Sequence, residues 1–325
     1  MERVLVTGGS GFGGRSLIPV LREAGYEVLA LARSQEAART LEALGASVVA
    51  GDITEPASLE EACNGVAAVV HLAAHVRDWG SREEFARVNI QGTKNVLRAA
   101  RAAGVRKFVH VSSEAVLLDG SPLVNADESR PLPERPIGLY AWSKAMAEKE
   151  VCAANSPEFA AMVVRPRLIW GTGDTTLVPR LIEAMRRGQF AWIQGGEVLT
   201  STCHVRNVVE AIVCALRRGT GGGVYFVTDG GPVTIREFLG ALVKARGVDP
   251  PARSMPLWLA LVLARMVETV WRALRISSPP PVTRTAILLM GNEMTVNDAR
   301  IREELGYRPS MTRKQGLAEL AASAS

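Results

Sequence analysis

The stretch VLVTGGSGFGGRSL, residues 4–17, constrains the fold of this chain more than any other part of it. β-Branched and other apolar residues precede a run of glycines, and apolar residues at helical spacing follow, which predicts a strand, a turn and a helix. Gly8, Gly11 and Gly14 stand three residues apart. This spacing permits a tight turn, close approach of the backbone to a pyrophosphate and close packing of the helix on the strand. The first helical N–H groups would then face phosphates, which predicts a bound dinucleotide.

Strand-like apolar runs alternate with helical patterns through the first half of the chain. The runs are RVLVTG, EVLALAR, SVVAGD, AAVVHLAA, KFVHVSS and AMVVRPRLIW. Alternating strands and helices predict an α/β chain with a doubly wound parallel sheet, the Rossmann fold. After about Pro166 the pattern loosens, and GGVYFVTDG, residues 222–230, is strand-like again. We therefore predict an NAD(P)-binding Rossmann domain at residues 1–165. Residues 166–325 are predicted to form mainly a smaller substrate-binding region, with a strand or helix returning to the Rossmann sheet.

Composition narrows the partners that this chain can have. Of its 325 residues 47% are apolar, enough for a substantial core. The net charge is +5, but the basic residues are scattered and do not alternate with aromatic ones, so no nucleic acid partner is predicted. The four cysteines are far apart, which indicates neither disulfides nor a metal site and fits a reducing cytoplasm. No secretory signal begins the chain, and charged residues interrupt its most apolar later stretch, residues 255–276.

The end of the second strand-like run bears on the choice of cofactor. Arg33 follows Gly14 by nineteen positions. A carboxylate in this region usually holds the adenosine ribose of NAD, whereas an arginine accommodates a 2′-phosphate. Arg33 with Ser34 therefore predicts NADP, with NAD as the alternative; a solvent-facing arginine at a strand end is the other interpretation.

Further cofactor contacts are expected where the third and fourth strands end. Asp52 could reach the adenine or could cap the helix that follows, and Ala73 and Ala74 are small enough for close approach of the cofactor. The full set of predicted cofactor residues is Gly8, Gly11, Phe12, Gly14, Arg33, Ser34, Asp52, Ile53, Ala73, Ala74, Tyr140, Lys144 and Pro166.

A serine, a tyrosine and a lysine indicate that the cofactor is used in catalysis. Ser112 and Ser113 end the fifth strand, and Tyr140 and Lys144 lie four residues apart on one helix face. Hydride transfer between an alcohol and a nicotinamide requires a proton to move as well, and a nearby ammonium lowers the pKa of a phenol so that it can exchange this proton. Lys144 can supply that charge and hold the nicotinamide ribose, while a serine hydroxyl can orient the substrate oxygen.

With these motifs in order, the sequence resembles the extended short-chain dehydrogenase/reductase family over nearly its whole length. The matching stretches are TGGSGFGG, GDITEP, VVHLAA, VNIQGTKNV, VHVSSEAV, YAWSK, VVRPRLIWGTGD and STCHVRNVVEA. The resemblance implies Tyr140 as catalytic acid/base, Lys144 as its partner, Ser113 as the orienting hydroxyl and Asn89 as a support for the active-site region. It also implies that the chain turns around the nicotinamide at Pro166, and that the protein is a homodimer.

Within that family the sequence is most similar to the 3β-hydroxysteroid dehydrogenase-like branch. The similarity lies in DGSPLVNADESRPLP, RPRLIWGTGDTTLVPRLI and NDARIREELGYRPSMTRKQGL. It implies a hydrophobic small-molecule substrate, steroid-like or a long-chain β-keto acid. Glu114, Trp142, Trp170 and His204 are the candidate substrate residues, although the tryptophans fit ordinary core packing equally well. Residues 255–276 could form a buried helix, a lid or a peripheral membrane contact.

The leading hypothesis is an NADP-dependent oxidoreductase that interconverts a secondary alcohol and a ketone on a hydrophobic substrate. The first alternative is a nucleotide-sugar epimerase or dehydratase, for which Arg180, Arg186 and Arg187 could bind a diphosphate. The second is a dinucleotide sensor without turnover, which would most simply have lost the tyrosine or the lysine. No metal is predicted. We expect a cytoplasmic protein that is either free or membrane-associated.

Overall fold

The computed structural model describes residues 1–77 and 79–323 and contains fifteen strands within them. The strands are β1 (Arg3–Thr7), β2 (Glu27–Ala32), β3 (Ser47–Ala50), β4 (Ala68–His71), β5 (Lys107–Val111), β6 (Leu123–Ala126), β7 (Ala160–Pro166), β8 (Ile169–Trp170), β9 (Trp192–Ile193), β10 (Leu199–Thr200), β11 (Cys203–His204), β12 (Val224–Val227), β13 (Val233–Thr234), β14 (Ser254–Met255) and β15 (Met294–Val296).

Thirteen α-helices connect the strands of the described chain. They are α1 (Phe12–Glu23), α2 (Gln35–Ala43), α3 (Ala57–Cys63), α4 (Arg82–Phe85), α5 (Gly92–Ala102), α6 (Leu139–Ala153), α7 (Leu177–Arg186), α8 (Val205–Arg218), α9 (Ile235–Lys244), α10 (Leu257–Ala273), α11 (Arg284–Gly291), α12 (Ala299–Leu305) and α13 (Arg313–Ala322). A π-helical segment, Ala86–Gln91, precedes α5, and a 3₁₀ turn, Glu114–Leu117, follows β5.

Seven parallel strands form one sheet in the order β3-β2-β1-β4-β5-β7-β12. The chain runs outward from β1 to β3 and then returns to place β4 on the other side of β1. The strand order therefore reverses between β1 and β4, where a doubly wound sheet opens a ligand crevice at its carboxyl edge. The Rossmann fold predicted from the sequence is confirmed.

Helices cover both faces of this sheet because successive side chains of a strand point to opposite sides. Val4 and Val6 pack with α1 and α8 on one face. Leu5 packs with α3 and α5 on the other. β12, formed by the GGVYFVTDG stretch, pairs with β7 in the main sheet. The division of the chain at residues 165 and 166 stays a prediction.

Three strands of the later half join β6 in a small sheet, in the order β13-β10-β15-β6, and the later half forms a second core around Trp170, Trp192 and Phe238. α10 packs on α11, burying Ala260, Ala264 and Glu268 along one face. No helix in the described ranges combines the length and the apolar character needed to cross a bilayer.

Candidate active site and cofactor cavity

A cavity of about 500 Å³ lies at the carboxyl edge of the main sheet, beside the glycine-rich turn. We call it the glycine-turn cavity. Its lining includes eleven of the predicted cofactor residues: Gly8, Gly11, Phe12, Gly14, Arg33, Asp52, Ile53, Ala73, Ala74, Tyr140 and Lys144. Ser34 and Pro166 lie outside this lining.

Glycine is required in the turn because the backbone segments approach one another closely. Gly8 has φ +72°, and a Cβ there would lie 2.6 Å from the backbone nitrogen of Ala73. A Cβ on Gly14 would lie 2.4 Å from Cα of Gly9. The Gly11 N–H donates to the Gly8 carbonyl oxygen at 3.1 Å and closes the turn. Any side chain at Gly8 or Gly14 would therefore displace backbone that forms the cavity wall.

One end of the glycine-turn cavity is bounded by residues that follow β2 and β3. Arg33 is exposed and lines the cavity. Ser34 instead caps α2, its Oγ accepting from the Ala37 N–H at 3.2 Å, and is not brought to the cavity. Asp52 does not cap α3, because its Oδ1 accepts from both the N–H and the hydroxyl of Thr54 at 2.8 Å. The carboxylate is thus fixed by its own turn.

Lys144 lies at the inner end of the cavity and is almost completely buried. Its Nζ donates to the Val111 carbonyl oxygen at 2.7 Å and lies 3.1 Å from Nε2 of His110. Burial lowers the pKa of Lys144 to about 7, and the charge of Glu148 opposes this shift. The ammonium is therefore held in place by protein atoms and is easily deprotonated.

A buried ion pair, Glu148 with Arg165, lies beneath Lys144, and sequence reasoning did not find it. The Arg165 guanidinium donates to both Glu148 carboxylate oxygens, and Ser112 Oγ donates to Glu148 Oε2 at 2.7 Å. The signal was available: an arginine inside the apolar run AMVVRPRLIW requires a buried partner. Ser112 is therefore committed to this pair, whereas Ser113 is not part of it.

Ser113 and Tyr140 meet at a second cavity of about 250 Å³, which we call the Ser113 cavity. The two cavities adjoin, since both are lined by Val76, Ser112, Tyr140, Ile169 and Thr176. Glu114 and Pro166 also line the Ser113 cavity. The structure therefore brings three of the four predicted catalytic residues to the two cavities, with Tyr140 at the junction, Lys144 on the glycine-turn side and Ser113 on the other.

Asn89 connects the chain after β4 to the helix that carries Tyr140. Its Oδ1 accepts from the His75 N–H at 2.6 Å, and its Nδ2 donates to Ser143 Oγ at 2.8 Å. Ser143 Oγ in turn donates to the Tyr140 carbonyl oxygen at 3.0 Å. These contacts are those of a structural support, and Asn89 itself lines neither cavity.

Two of the four candidate substrate residues are enclosed in the second core. The rings of Trp170 and His204 pack edge to face at 4.8 Å, and both side chains are fully buried. Trp170 Nε1 donates to Asp229 Oδ2 at 2.7 Å, while His204 Nδ1 accepts from the Arg206 N–H and caps α8. The expectation that these two residues line the substrate site therefore disagrees with their placement.

Trp142 is also away from the Ser113 cavity. The centroid of its ring lies 3.9 Å from the guanidinium carbon of Arg82. Trp142 lines a cleft of about 830 Å³ beside the end of α10. This cleft shares Gly138, Leu139 and Thr285 with the Ser113 cavity, so Trp142 could meet only an outer part of a substrate.

Arg167 is the residue of the Ser113 cavity that sequence reasoning missed. Its Nη1 donates to Glu114 Oε1 at 2.7 Å, and both side chains are almost fully buried. It stands two residues beyond Arg165 in the same apolar run, so the demand for a buried partner applied to it as well.

Comparison with known proteins gives a family and close relatives. The model of the 3-beta hydroxysteroid dehydrogenase/isomerase family matches residues 5–257. A ketoreductase of 4-hydroxy-2-methyl-3-oxo-4-farnesyl-3,4-dihydroquinoline-1-oxide from Stigmatella aurantiaca is 46% identical over 97% of this chain and 94% of its own. A 2-alkyl-3-oxoalkanoate reductase from Stenotrophomonas maltophilia is 34% identical over 99% of both chains. The crystal structure of a dTDP-glucose 4,6-dehydratase from Streptomyces venezuelae with bound NAD has a TM-score of 0.74 at 25% identity, covering 98% of this chain and 96% of that one.

Proposed function

Since the chain belongs to the 3-beta hydroxysteroid dehydrogenase/isomerase family, we propose that it reduces a ketone on a hydrophobic substrate with NADPH. The family and the relatives make it an NAD(P)-dependent oxidoreductase of the extended short-chain dehydrogenase/reductase type that acts on a hydrophobic substrate. The observation that carries the proposed reaction is the position of Tyr140, which lines both the glycine-turn cavity and the Ser113 cavity.

The residues of the glycine-turn cavity fit a dinucleotide. The turn holds its backbone where a Cβ on Gly8 or Gly14 would collide with its walls, and the α1 N-terminus opens toward the cavity. In this proposal residues 1–165 bind the cofactor and residues 166–325 mainly form the substrate region. A bound nicotinamide cofactor supplies the hydride or accepts it.

The side chains around the junction of the cavities manage the proton. Tyr140 gives its phenolic proton to the ketone oxygen during reduction and takes it back during oxidation. Lys144, positioned by Val111 and His110, stabilises the phenolate with its charge. Ser113 orients the substrate oxygen, and Asn89 holds the helix that carries Tyr140.

Arg33 supports NADP over NAD as the cofactor. It lines the glycine-turn cavity directly after β2, where a cation can pair with a 2′-phosphate. Since cells usually keep the NADP pool reduced, ketone reduction is the proposed direction. In the name of the Stigmatella relative, the ketone stands beside a hydroxyl-bearing ring position, and the same substrate class is proposed for this chain.

We propose a cytoplasmic homodimer that contacts a membrane peripherally. The exposed face of α10 supports the membrane contact. Trp258, Val262, Met266 and Val270 follow one another at four-residue spacing, and each is about half exposed or more. Arginines flank this stripe at positions 265 and 272. An apolar helical face with basic neighbours suits an anionic lipid surface, from which a hydrophobic substrate could be drawn.

The nucleotide-sugar alternative rests on the dehydratase fold and on three arginines. Arg180 and Arg186 lie on α7 and Arg187 follows it; all are exposed, and none lines the Ser113 cavity. Arg187 is also 2.5 Å from Glu183. A site for a sugar diphosphate beside Ser113 is therefore not favoured by their placement.

The test is nicotinamide absorbance during turnover, with NADPH and NADH in parallel, over 3-ketosteroids, long-chain β-keto esters and nucleotide sugars. We expect NADPH oxidation with an apolar ketone, and a loss of about 10²–10⁴-fold in kcat for Tyr140→Phe with cofactor binding retained. Conversion of a nucleotide sugar without net cofactor change would replace this proposal with the epimerase. Full activity of Tyr140→Phe would remove Tyr140 from the reaction, and silence on every substrate would favour the sensor.

A further inference from the structure

A buried ion pair forms part of the wall of the Ser113 cavity. Arg167 Nη1 donates to Glu114 Oε1 at 2.7 Å, and the side chains are 3% and 4% exposed. Glu114 begins the 3₁₀ turn after β5, and Arg167 follows the last residue of β7. Both residues line the cavity together with Ser113 and Tyr140.

Stability alone gives little reason for this pair. Removing two charges from water costs several kcal/mol per ion, and well-packed apolar residues of similar volume are often as stabilising as a buried pair or more so. A pair placed in a cavity wall beside the proposed reacting groups therefore points to a role toward a ligand.

The hydrogen of Ser113 is already committed in this arrangement. Ser113 Oγ donates to Glu114 Oε2 at 2.8 Å and accepts from the Ala115 N–H at 3.2 Å. A carboxylate only accepts, so the shared hydrogen belongs to the serine. Ser113 can donate to a ketone oxygen only by turning its hydrogen away from Glu114. Oε2 would then lack this donor in a buried site, which is costly unless another donor takes its place.

We propose that Glu114 selects ketones that carry a hydroxyl on the carbon next to the carbonyl. The hydroxyl of the substrate donates to Glu114 Oε2 and replaces Ser113 there, while Ser113 and Tyr140 both donate to the ketone oxygen. Arg167 neutralises Glu114, so the site carries no net charge from this pair. A plain ketone leaves Oε2 short of a donor, and a carboxylate in place of the hydroxyl has no hydrogen to donate to Oε2.

The inference rests on the proposed ketone reduction and deepens it by assigning Glu114 as the residue that selects the hydroxyketone. Its experiment uses three ketones that differ only in the substituent on the neighbouring carbon: 2-hydroxy-1-tetralone, 1-tetralone and 1-tetralone-2-acetate, a γ-keto acid that does not decarboxylate. With NADPH and wild-type protein, kcat/KM for the hydroxyketone is expected to exceed that for the plain ketone by about tenfold or more, because a site built around a hydroxyl rejects the analogue that lacks it. The carboxylate is expected to be the poorest of the three.

Glu114→Gln removes the charged acceptor, and the ratio between hydroxyketone and plain ketone is expected to fall to about one. Glu303→Gln is the matched control, since Glu303 is exposed on α12 and lines neither cavity. It should leave the ratio unchanged. Because Glu114→Gln leaves Arg167 buried without its partner, the double variant Glu114→Gln/Arg167→Gln is measured beside it, and cofactor binding shows that each variant is folded.

The outcomes separate this inference from the proposed function. Equal turnover of the hydroxyketone and the plain ketone by the wild type would overturn the role of Glu114 and leave ketone reduction standing. Preference for the carboxylate would also overturn it, since Arg167 and not Glu114 would then meet the ligand. If a folded Glu114→Gln variant keeps the wild-type ratio of kcat/KM between hydroxyketone and plain ketone, the role of Glu114 is also overturned. No turnover of any ketone would overturn the proposed reaction and, with it, this inference.

Discussion

Lys144 is the residue in which the fold and the proposed chemistry conflict most. Its Nζ is enclosed by the Val111 carbonyl, His110 and the cavity wall, and burial lowers the pKa to about 7. His110 gives no charge compensation, because burial and the Lys144 charge lower the pKa of this histidine well below its ordinary value. A residue proposed to act as a cation is thus held where its charged form is disfavoured.

The first prediction follows from this pKa. In the unfolded chain Lys144 returns to its ordinary pKa of 10.5, so between pH 7 and 10 the unfolded state binds a proton that the folded state has released. Stability rises with pH wherever the unfolded state binds more protons. Wild type should therefore gain about 2 to 3 kcal/mol relative to Lys144→Met between pH 6 and pH 9, measured by urea unfolding without cofactor.

The control for this measurement is Lys149→Met on the same helix. Lys149 is exposed, so its removal should shift the free energy of unfolding equally at both pH values. If the free energies of unfolding of wild type and Lys144→Met differ by the same amount from pH 6 to pH 9, the buried amine keeps its ordinary pKa.

At the scale of elements, a position can require glycine because φ is positive or because a Cβ would collide with other backbone. Gly8, in the turn between β1 and α1, has both reasons, and Gly104 has only the first. Gly8 and Gly104 have φ of +72° and +75°, so alanine is strained at both by about 1–2 kcal/mol. Only at Gly8 would the new Cβ meet other backbone, 2.6 Å from the Ala73 nitrogen, whereas nothing lies within 4 Å at Gly104.

Gly8→Ala should therefore lower the free energy of unfolding more than Gly104→Ala does. It should also raise the Kd for the dinucleotide by about tenfold or more, the effect of losing one backbone contact. Gly104→Ala should leave binding unchanged. Urea unfolding and titration of the nicotinamide fluorescence measure the two effects separately. Equal affinities of the two variants would show that the turn adapts to a side chain and does not set the cofactor site.

α10 leads to a prediction about lipid. Glu268 of this helix is buried and pairs with Arg284 at 2.9 Å, so the exposed face that remains is largely apolar. The double variant Val262→Glu/Met266→Glu should reduce cosedimentation with phosphatidylserine vesicles severalfold, because it places charge on the exposed apolar face. Val124→Glu, at an exposed apolar residue of β6, is the control. Wild-type protein that stays in the supernatant would contradict the contact.

Local sequence was sufficient to predict the strands and helices, but not the contacts between residues that are far apart in the chain. The glycine turn and the six strand-like runs predicted the sheet, because hydrophobic period and turn chemistry are local. The ion pair of Glu114 with Arg167 joins residues 53 positions apart and depends on β5 lying beside β7. Trp170 and His204 sit in matching motifs, yet Asp229 in the loop after β12 holds both in the second core. The roles of the site residues stay predictions.

At the scale of the whole molecule, the affinity for each cofactor determines how much that cofactor stabilises the folded protein. The crevice where the strand order reverses is formed by β1, β2 and β4 and by the residues that follow them, so a dinucleotide bound there holds the centre of the main sheet together. A ligand that binds only the folded state stabilises it by about 2.7 kcal/mol at one hundred times its Kd. At equal concentration, the cofactor that binds more tightly therefore gives the larger rise in Tm.

Arg33 should decide which dinucleotide this is. NADPH is expected to raise the Tm of the wild type by several degrees more than NADH at the same concentration, because the guanidinium pairs with the 2′-phosphate. Arg33→Ser should remove that difference by lowering the NADPH shift while leaving the NADH shift intact. Arg39→Ser is the matched control, since Arg39 is exposed on α2 and does not line the glycine-turn cavity. Equal shifts for both dinucleotides in the wild type would make Arg33 a solvent-facing residue at a strand end and remove the argument for NADP.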